Sequence, residues 1–172
     1  VLSGFQPRIS AYDPWLPPSI LRADGVEPAT LEAVLHQSDV IFVVAAVTSE
    51  NRHFLDADAF ARMRPGASFI LLSRAEVVDF DAMLDAVEAG HIHAASDVFP
   101  TEPLAADHRA RHVPGFLRSA HRAGALDVAF KQMGEMVLED MGLMDQNLPP
   151  LRCKRAERET VQRMRSRPVT QN

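Results

Sequence analysis

The sequence predicts an α/β fold in which helices cover a doubly wound parallel sheet. Short apolar runs of strand length recur along the chain, and segments with the spacing of amphipathic helices alternate with them. This alternation is typical of right-handed strand–helix–strand crossovers. The 172 residues, of which 47% are hydrophobic and 24% charged, are enough for about one globular domain with a substantial core.

The first part of the chain contains two predicted strands and one predicted helix. Residues 7–13 are predicted to form a short strand that ends at the prolines which follow it. A helix is predicted over residues 27–37, with Thr30 as a possible N-cap. The continuous apolar run 39–46 predicts a parallel strand that is covered on both faces by helices.

The second part of the chain continues the same alternation. Helices are predicted over residues 56–63, 79–89 and 125–141, and strands over 69–73, 92–98 and just before His121. Gly90 is predicted to close its helix as the C′ residue. The methionines of the long helix 125–141 are predicted to pack in the core. A further helix is predicted over residues 156–164, in the tail that follows Pro149 and Pro150.

The charge distribution separates the tail from the rest of the chain. The net charge is −5 overall, which argues against nucleic acid as a partner. Residues 151–172 carry seven basic and two acidic side chains, so the remaining residues hold a net charge of −10. Cys153 is the single cysteine, which precludes an internal disulfide and predicts a reducing, cytoplasmic location. No apolar run reaches the ~18 residues that would predict a membrane span.

Three chemically active side chains follow predicted strands, where an open α/β sheet places its ligand sites. Arg74 follows the strand 69–73, Glu102 follows 92–98, and His121 follows the last short strand. Taken singly, they could be an ion-pair partner, a turn carboxylate and an exposed loop histidine. Three such coincidences at neighbouring strand ends are less probable than one site. The other histidines lack the spacing of metal ligands, and no metal site is predicted.

With these residues identified, the chain resembles the NAD-binding domain of the D-isomer-specific 2-hydroxyacid dehydrogenases from about residue 7 to residue 140. The resemblance rests on an ordered set of motifs rather than on any one of them. The motifs are Tyr12-Asp13-Pro14, Met63-Arg64-Pro65-Gly66-Ala67, Arg74 with Val77-Val78-Asp79, Asp97-Val98-Phe99 with Glu102-Pro103-Leu104, and His121 with Ala123-Gly124. The resemblance implies a Rossmann-like fold and an oxidoreductase that transfers a hydride between NAD(H) and a small 2-hydroxy or 2-oxo acid.

The resemblance also implies roles for individual residues. Arg74 would bind the substrate carboxylate, His121 would act as the general acid and base, and Glu102 would orient the imidazole. The cofactor-binding residues would be Asp13, Ala45, Leu72, Asp97 and Gly124. Asp13 would meet the ribose hydroxyls and favour NAD over NADP, although an Asp before proline equally predicts a plain turn. A homodimer is implied as well.

Some features depart from the family pattern. None of the eight glycines forms a Gly-x-Gly-x-x-Gly loop, and the chain does not begin with methionine. We therefore expect a partial dinucleotide-binding domain over residues 1–147, lacking its amino-terminal part, with the basic tail 148–172 docking on a missing substrate domain. Ala46, Ala75 and Ala120 replace family residues, and Arg122 adds a cation beside the histidine.

Two other functions are compatible with parts of the sequence. A family-related module could sense NAD(H) and act through partners, as a corepressor does, without turnover. A methyltransferase on a similar fold is a third reading, but no residue pattern favours it.

Overall fold

The computed structural model describes residues 2–48 and 50–153. The predicted helix 156–164 lies outside the described residues, and the two-part division at residue 147 stays a prediction. In chain order the elements are β1 (Ser10–Ala11), α1 (Pro18–Ala23), β2 (Glu27–Pro28), α2 (Leu31–Gln37), β3 (Val40–Val43), α3 (Ala57–Ala61), β4 (Ser68–Leu71), α4 (Phe80–Glu88), β5 (His93–Ser96), β6 (Phe116–Arg118) and α5 (Asp127–Asp145). Short 3₁₀ helices span Leu2–Phe5, Ala75–Val77 and Arg109–Arg111.

The strands form two parallel sheets. The larger has four strands in the order β3-β4-β5-β6, and the smaller pairs β1 with β2. Ile41, Phe69, Ala94 and Phe116 form one continuous row across the larger sheet. Strand order follows chain order, and parallel neighbours joined in this way need crossover connections. The parallel α/β architecture predicted from the sequence is confirmed.

Helix ends follow the local signals in the sequence. The hydroxyl of Thr30 accepts a hydrogen bond from the Ala33 N–H at 3.1 Å, so the predicted N-cap is confirmed. Gly90 lies directly after the last residues of α4 with φ of 70°, the left-handed conformation expected of a C′ glycine. Helix α1 was not predicted. Helix α1 begins at Pro18. Proline is favoured at the first helical position as well as directly after a strand, so the sequence alone did not distinguish the two.

The core lies on one face of the larger sheet. Phe60 of α3 packs edge-to-face against Phe69 of β4, with ring centroids 5.1 Å apart. Met83 and Leu84 of α4 are fully buried against the same face. These contacts join α3 and α4 to the sheet in one hydrophobic cluster.

The opposite face of the larger sheet is uncovered within the described residues. Val40, Phe42 and Val44 alternate with the buried Ile41 and Val43, and about half of Phe42 (49%) is exposed. Side chains alternate between the two faces of a strand, and the described helices pack on only one of them. The expectation that residues 39–46 are covered on both faces is therefore wrong for the part of the chain that the structure describes.

Helix α5 is largely exposed. Asp140 is its only buried residue, while Met133 and Met141 are 50% and 60% exposed. The prediction that its methionines pack in the core is wrong, because helical spacing predicts an apolar face but does not supply an element to cover it. No helix among the described residues has the length and apolar character needed to cross a membrane.

Asp140 instead fixes the segment that follows α5. Its carboxylate accepts hydrogen bonds from the backbone N–H groups of Leu151, Arg152 and Cys153 at 2.6–3.2 Å. Burial alone would raise the pKa of Asp140, but these donors outweigh burial and lower it to about 2. Burial and the contact with Asp140 raise the pKa of the Cys153 thiol, which disfavours a reactive thiolate.

Candidate active site

The predicted catalytic residues gather at the carboxyl ends of three adjacent strands. Arg74 follows β4, Glu102 follows β5, and His121 follows β6. Parallel strands end at the same edge of a sheet, so these three loops are neighbours. The fold thus brings a guanidinium, a carboxylate and an imidazole to one edge of the sheet.

Glu102 and His121 are in direct contact. The imidazole Nδ1 lies 2.7 Å from Oε2 of Glu102, and the other oxygen of Glu102 accepts the Phe99 N–H at 2.9 Å. The side chains are 45% exposed for His121 and 35% exposed for Glu102, so the pair is open to a ligand. The contact between these two predicted residues is the most specific geometric feature of the site.

The electrostatics of the pair fix the direction of the hydrogen bond. The hydrogen bond with His121 holds the pKa of Glu102 below its ordinary value, assisted by the Phe99 N–H and by the charge of Arg74. An ionised carboxylate can only accept, so Nδ1 must carry the hydrogen and donate it. The Nε2 atom of His121 is then left to exchange a proton with a ligand.

Arg74 lies within electrostatic range of this pair, because its charge contributes to the lowered pKa of Glu102. Its Nη1 donates to the carbonyl oxygen of Ser73 at 2.7 Å, and the side chain is otherwise exposed. The backbone at Arg74 is extended, with the 3₁₀ turn Ala75–Val77 following directly. A guanidinium anchored in this way still presents donors to an anion.

Asp97 is buried, at 3% exposure, directly after β5. Its Oδ1 accepts hydrogen bonds from the Ser119 hydroxyl and from the Arg122 N–H, the latter at 2.8 Å. Its Oδ2 accepts the Ala123 N–H at 2.7 Å. The carboxylate therefore contacts the turn that carries His121, an arrangement that the sequence did not predict.

The loop that follows β3 is held by a second buried polar residue. Asn51 donates from Nδ2 to the carbonyl of Ala46 and accepts the Thr48 N–H through Oδ1, both at 2.7 Å. Ala45, a predicted cofactor contact, lies in this loop and is half-buried. Neither Asn51 nor Ser119 was predicted. Their signal, a small polar residue beside a strand end, is too common in sequences to single them out.

The other predicted cofactor-binding residues differ in their exposure and in their hydrogen bonds. Leu72 is 37% exposed at the end of β4, and a side-chain carbon added at Gly124 would meet nothing within 4 Å. Asp13 accepts the N–H groups of Trp15 and Leu16 at 2.9 and 3.1 Å, both through Oδ1. Asp13 thus forms the turn that one of the two alternatives predicted, and among the described contacts its Oδ2 stays available for a hydroxyl donor.

These features fit the nicotinamide end of a dinucleotide. Leu72 offers an exposed apolar surface at the same edge as Glu102 and His121, and a side-chain carbon at Gly124 would meet open space. The buried hydroxyl of Ser73 has no hydrogen-bond partner among the described residues, which leaves one polar atom unsatisfied at the end of β4. In the described residues, no cluster of three or more potential metal ligands is found.

Comparisons with known proteins support a single family. The family "D-isomer specific 2-hydroxyacid dehydrogenase, NAD binding domain" matches residues 1–123. Glyoxylate reductase of Korarchaeum cryptofilum is 33% identical over 144 residues, covering 80% of this chain and 42% of that protein. D-3-phosphoglycerate dehydrogenase of Mycobacterium tuberculosis is 35% identical over 103 residues, covering 59% of this chain and 20% of that protein.

A solved structure agrees with these matches. The crystal structure of a phosphoglycerate oxidoreductase from Rhizobium etli is 69% identical, with a TM-score of 0.85. The alignment covers 92% of this chain and 48% of that chain. The chain therefore spans about half the length of this solved structure, and less than half of the two relatives above.

Proposed function

Because this chain belongs to the D-isomer-specific 2-hydroxyacid dehydrogenase family, we propose that it carries the NAD-binding region and the catalytic residues of an oxidoreductase. The reaction is hydride transfer between NAD(H) and a small 2-hydroxy or 2-oxo acid. The observation that carries the proposal is the 2.7 Å contact between His121 and Glu102 beside the cation of Arg74.

The pair supplies the proton that carbonyl reduction needs. With Nδ1 donating to the ionised Glu102, the protonated His121 gives the proton on Nε2 to the carbonyl oxygen and regains it in the oxidation direction. Glu102 stabilises the positive charge of the imidazole and keeps it in the productive tautomer. The pair therefore works as an acid in one direction and as a base in the other.

Arg74 and the bound cofactor complete the reaction. The guanidinium of Arg74 holds the substrate carboxylate, which sets the adjacent carbonyl near His121. NADH, when bound, supplies the hydride. Leu72, Ala45 and Gly124 would line the nicotinamide end. Asp97 and the free oxygen of Asp13 are proposed as polar contacts to the carboxamide and the ribose.

The pyrophosphate of the cofactor would need residues beyond those described. The chain has no Gly-x-Gly-x-x-Gly loop, and β1 and β2 form a sheet of their own rather than joining β3. In the Rossmann strand order 3-2-1-4-5-6, one strand separates the second strand from the fourth. We propose that this strand and its Gly-rich loop belong to the complete protein, as does the substrate domain on which residues 148–172 would dock.

A homodimer and a cytoplasmic location are further proposals. The exposed apolar side chains of α5, among them Phe130, Val137 and Met141, favour a second copy as the partner of this helix. The single cysteine is consistent with a reducing compartment.

Light scattering of the full-length protein tests the dimer. A mass of two copies that falls to one in a Met141→Glu variant supports it, and an unchanged single-copy mass contradicts it.

The proposed reaction is tested with the full-length protein, NADH and a panel of 2-oxo acids. The panel includes glyoxylate and hydroxypyruvate, and 3-phosphoglycerate with NAD is the substrate for the reverse direction, because relatives are named for these acids. Turnover with at least one acid, faster with NADH than with NADPH, supports the proposal. Tight NADH binding without turnover of any acid would instead favour the NAD(H)-sensing module.

A further inference from the structure

We propose that Asp97 and Ser119 are positioning residues for the proton-transfer step. The buried carboxylate of Asp97 holds the turn on both sides of His121 and so keeps the imidazole in contact with Glu102. This role rests on the proposed function and is distinct from any contact that Asp97 makes with the cofactor.

The turn is attached to β5 before and after His121. On the preceding side, the Ser119 hydroxyl donates to Oδ1 of Asp97, and the Ser119 N–H donates to the Ser96 carbonyl at 3.0 Å. On the following side, the N–H groups of Arg122 and Ala123 donate to the two oxygens of Asp97 at 2.8 and 2.7 Å. The histidine therefore sits at the centre of a segment that is fixed at both ends.

His121 needs this support because its backbone conformation is unfavourable. Its φ is +52°, in the left-handed region that a residue with a side chain rarely occupies. Nearly half of its side chain is exposed, so packing does little to hold the imidazole. A turn without its attachments would relax toward ordinary backbone angles and move Nδ1 away from Glu102.

Asp97 is itself well fixed and suited to the task. Its own N–H donates to the carbonyl of Leu71 in β4 at 3.0 Å, which ties it to the centre of the sheet. The three donors favour the ionised form of Asp97, because protonation would turn one of its accepting oxygens into a donor. Burial by itself would raise the pKa of Asp97, but the Ser119 hydroxyl and the N–H groups of Ala123 and Arg122 lower it overall. The negative charge is therefore retained at the pH at which the enzyme would work.

Substitution of Ser119 separates positioning from cofactor binding, because only Asp97 has a proposed contact with the cofactor. Asn at position 97 keeps the shape but offers one accepting oxygen instead of two. Ala at position 119 removes only the hydroxyl that faces Asp97, and leaves the carboxylate free for any contact with the cofactor. If Asp97 acted only on the cofactor, Ser119→Ala would change nothing.

The experiment compares Asp97→Asn, Ser119→Ala and Ser119→Thr in the full-length protein. Asp56→Asn is the control, because the Asp56 carboxylate also accepts a backbone N–H, from Ala59 at 3.0 Å, but at the start of α3. We expect Asp97→Asn to lower kcat by about ten- to hundredfold and Ser119→Ala by a smaller factor. Dissociation constants for NADH should stay within about twofold in Ser119→Ala, and Ser119→Thr and Asp56→Asn should keep the parent kcat.

The split between kcat and binding distinguishes positioning from a general loss of structure. Proton transfer depends on the placement of the imidazole, whereas NADH binding does not. Ser119→Ala should therefore lower kcat while the KM for the 2-oxo acid and the dissociation constant for NADH stay within about twofold. An unchanged kcat in both variants would overturn the proposal, as would a change confined to NADH affinity.

A nitrogen-15 NMR spectrum of the histidine rings tests the positioning role without requiring turnover. The protein should show a His121 Nδ1 proton held by Glu102, and Ser119→Ala should lose or broaden that signal while Ser119→Thr retains it. This comparison stands if Asp97→Asn fails to fold. It also stands if no acid is turned over, which would remove the proposed function but not the attachment of the turn. A His121 signal identical in all variants would refute the positioning role.

Discussion

Helices α4 and α5 both carry apolar residues at helical spacing but lie in opposite environments. Helix α4 is nine residues long and buries Phe80, Met83, Leu84 and Val87 against the sheet. Helix α5 is nineteen residues long and buries only Asp140. The difference shows that spacing predicts that a helix forms, whereas burial depends on what the rest of the molecule places against it.

The two helices also differ at their ends. The carboxylate of Asp79 accepts the Ala82 N–H at 3.0 Å and caps α4, and Gly90 follows its other end. Leu126 precedes α5 without a side-chain hydrogen bond to the helix. The short helix α4 is therefore stabilised both by its end residues and by packing of its buried face. The stability of the long helix α5 depends instead on its length and on a partner that covers its apolar side chains.

The largest expected difference between the helices comes from truncating one apolar side chain in each. Leu84→Ala should lower the free energy of unfolding by about 2–5 kcal/mol, because it leaves a cavity beside the sheet. Met141→Ala, at a position that is exposed in a single copy, should change the free energy of unfolding of the dissociated monomer by no more than about 0.5 kcal/mol. Urea unfolding of the two variants measures both values. Equal losses would mean that α5 is packed as tightly as α4.

The next effect concerns the acid stability of the α5 end. The pKa of Asp140 is lowered from 3.8 to about 2, so its ionised form stabilises the fold above pH 4. That stabilisation should be lost as the pH falls from about 4 to about 2. Hydrogen exchange at the N–H groups of residues 151–153 follows the loss. In Asp140→Ala, which removes both accepting oxygens, these groups should lose protection at every pH tested, and protection that persists in the variant would contradict the account.

Removal of the α4 cap should have a smaller effect. Asp79→Ala should cost about 1 kcal/mol of unfolding free energy, because the Ala82 N–H loses its acceptor. Asp79→Asn keeps a capping oxygen and is the matched control. If the two variants were equally destabilised, the charge or another contact of Asp79 would be responsible instead.

The smallest expected effect comes from adding to α5 the cap that it lacks. Leu126 has extended backbone angles, φ −99° and ψ 135°, which suit an N-cap residue. Leu126→Asp should therefore stabilise the first turn by roughly 0.5–1 kcal/mol and raise the helical circular dichroism signal slightly. Leu126→Ala serves as the control without a capping oxygen. No difference between the two would show that α5 is already held at its start.

The same contrast explains which parts of the molecule could be predicted from sequence. Thr30 and Gly90 act through neighbours a few residues away, so their roles were predicted correctly. The strand at residues 39–46 was also identified, but its open face was not, because coverage depends on distant elements. Pro18 was read as a strand breaker, although the same residue begins α1.

The candidate site was predictable to a similar degree. Glu102 and His121 carry chemistry that stands out at strand ends, and the structure brings them into contact. The contact between Asp97 and the histidine turn joins residues 22 to 26 positions apart, and nothing local in the sequence signals it. Ser119 is a common residue whose role depends entirely on that contact.

The central claim is that His121, paired with Glu102, transfers the proton that accompanies hydride transfer. The most direct test is a stopped-flow measurement of NADH oxidation by a 2-oxo acid in the full-length protein carrying His121→Ala, with His112→Ala as the control at an exposed histidine. The account predicts that His121→Ala slows the hydride-transfer step by at least about a hundredfold without weakening NADH binding, while His112→Ala matches the parent. Equal hydride-transfer rates in the parent and in His121→Ala would contradict it.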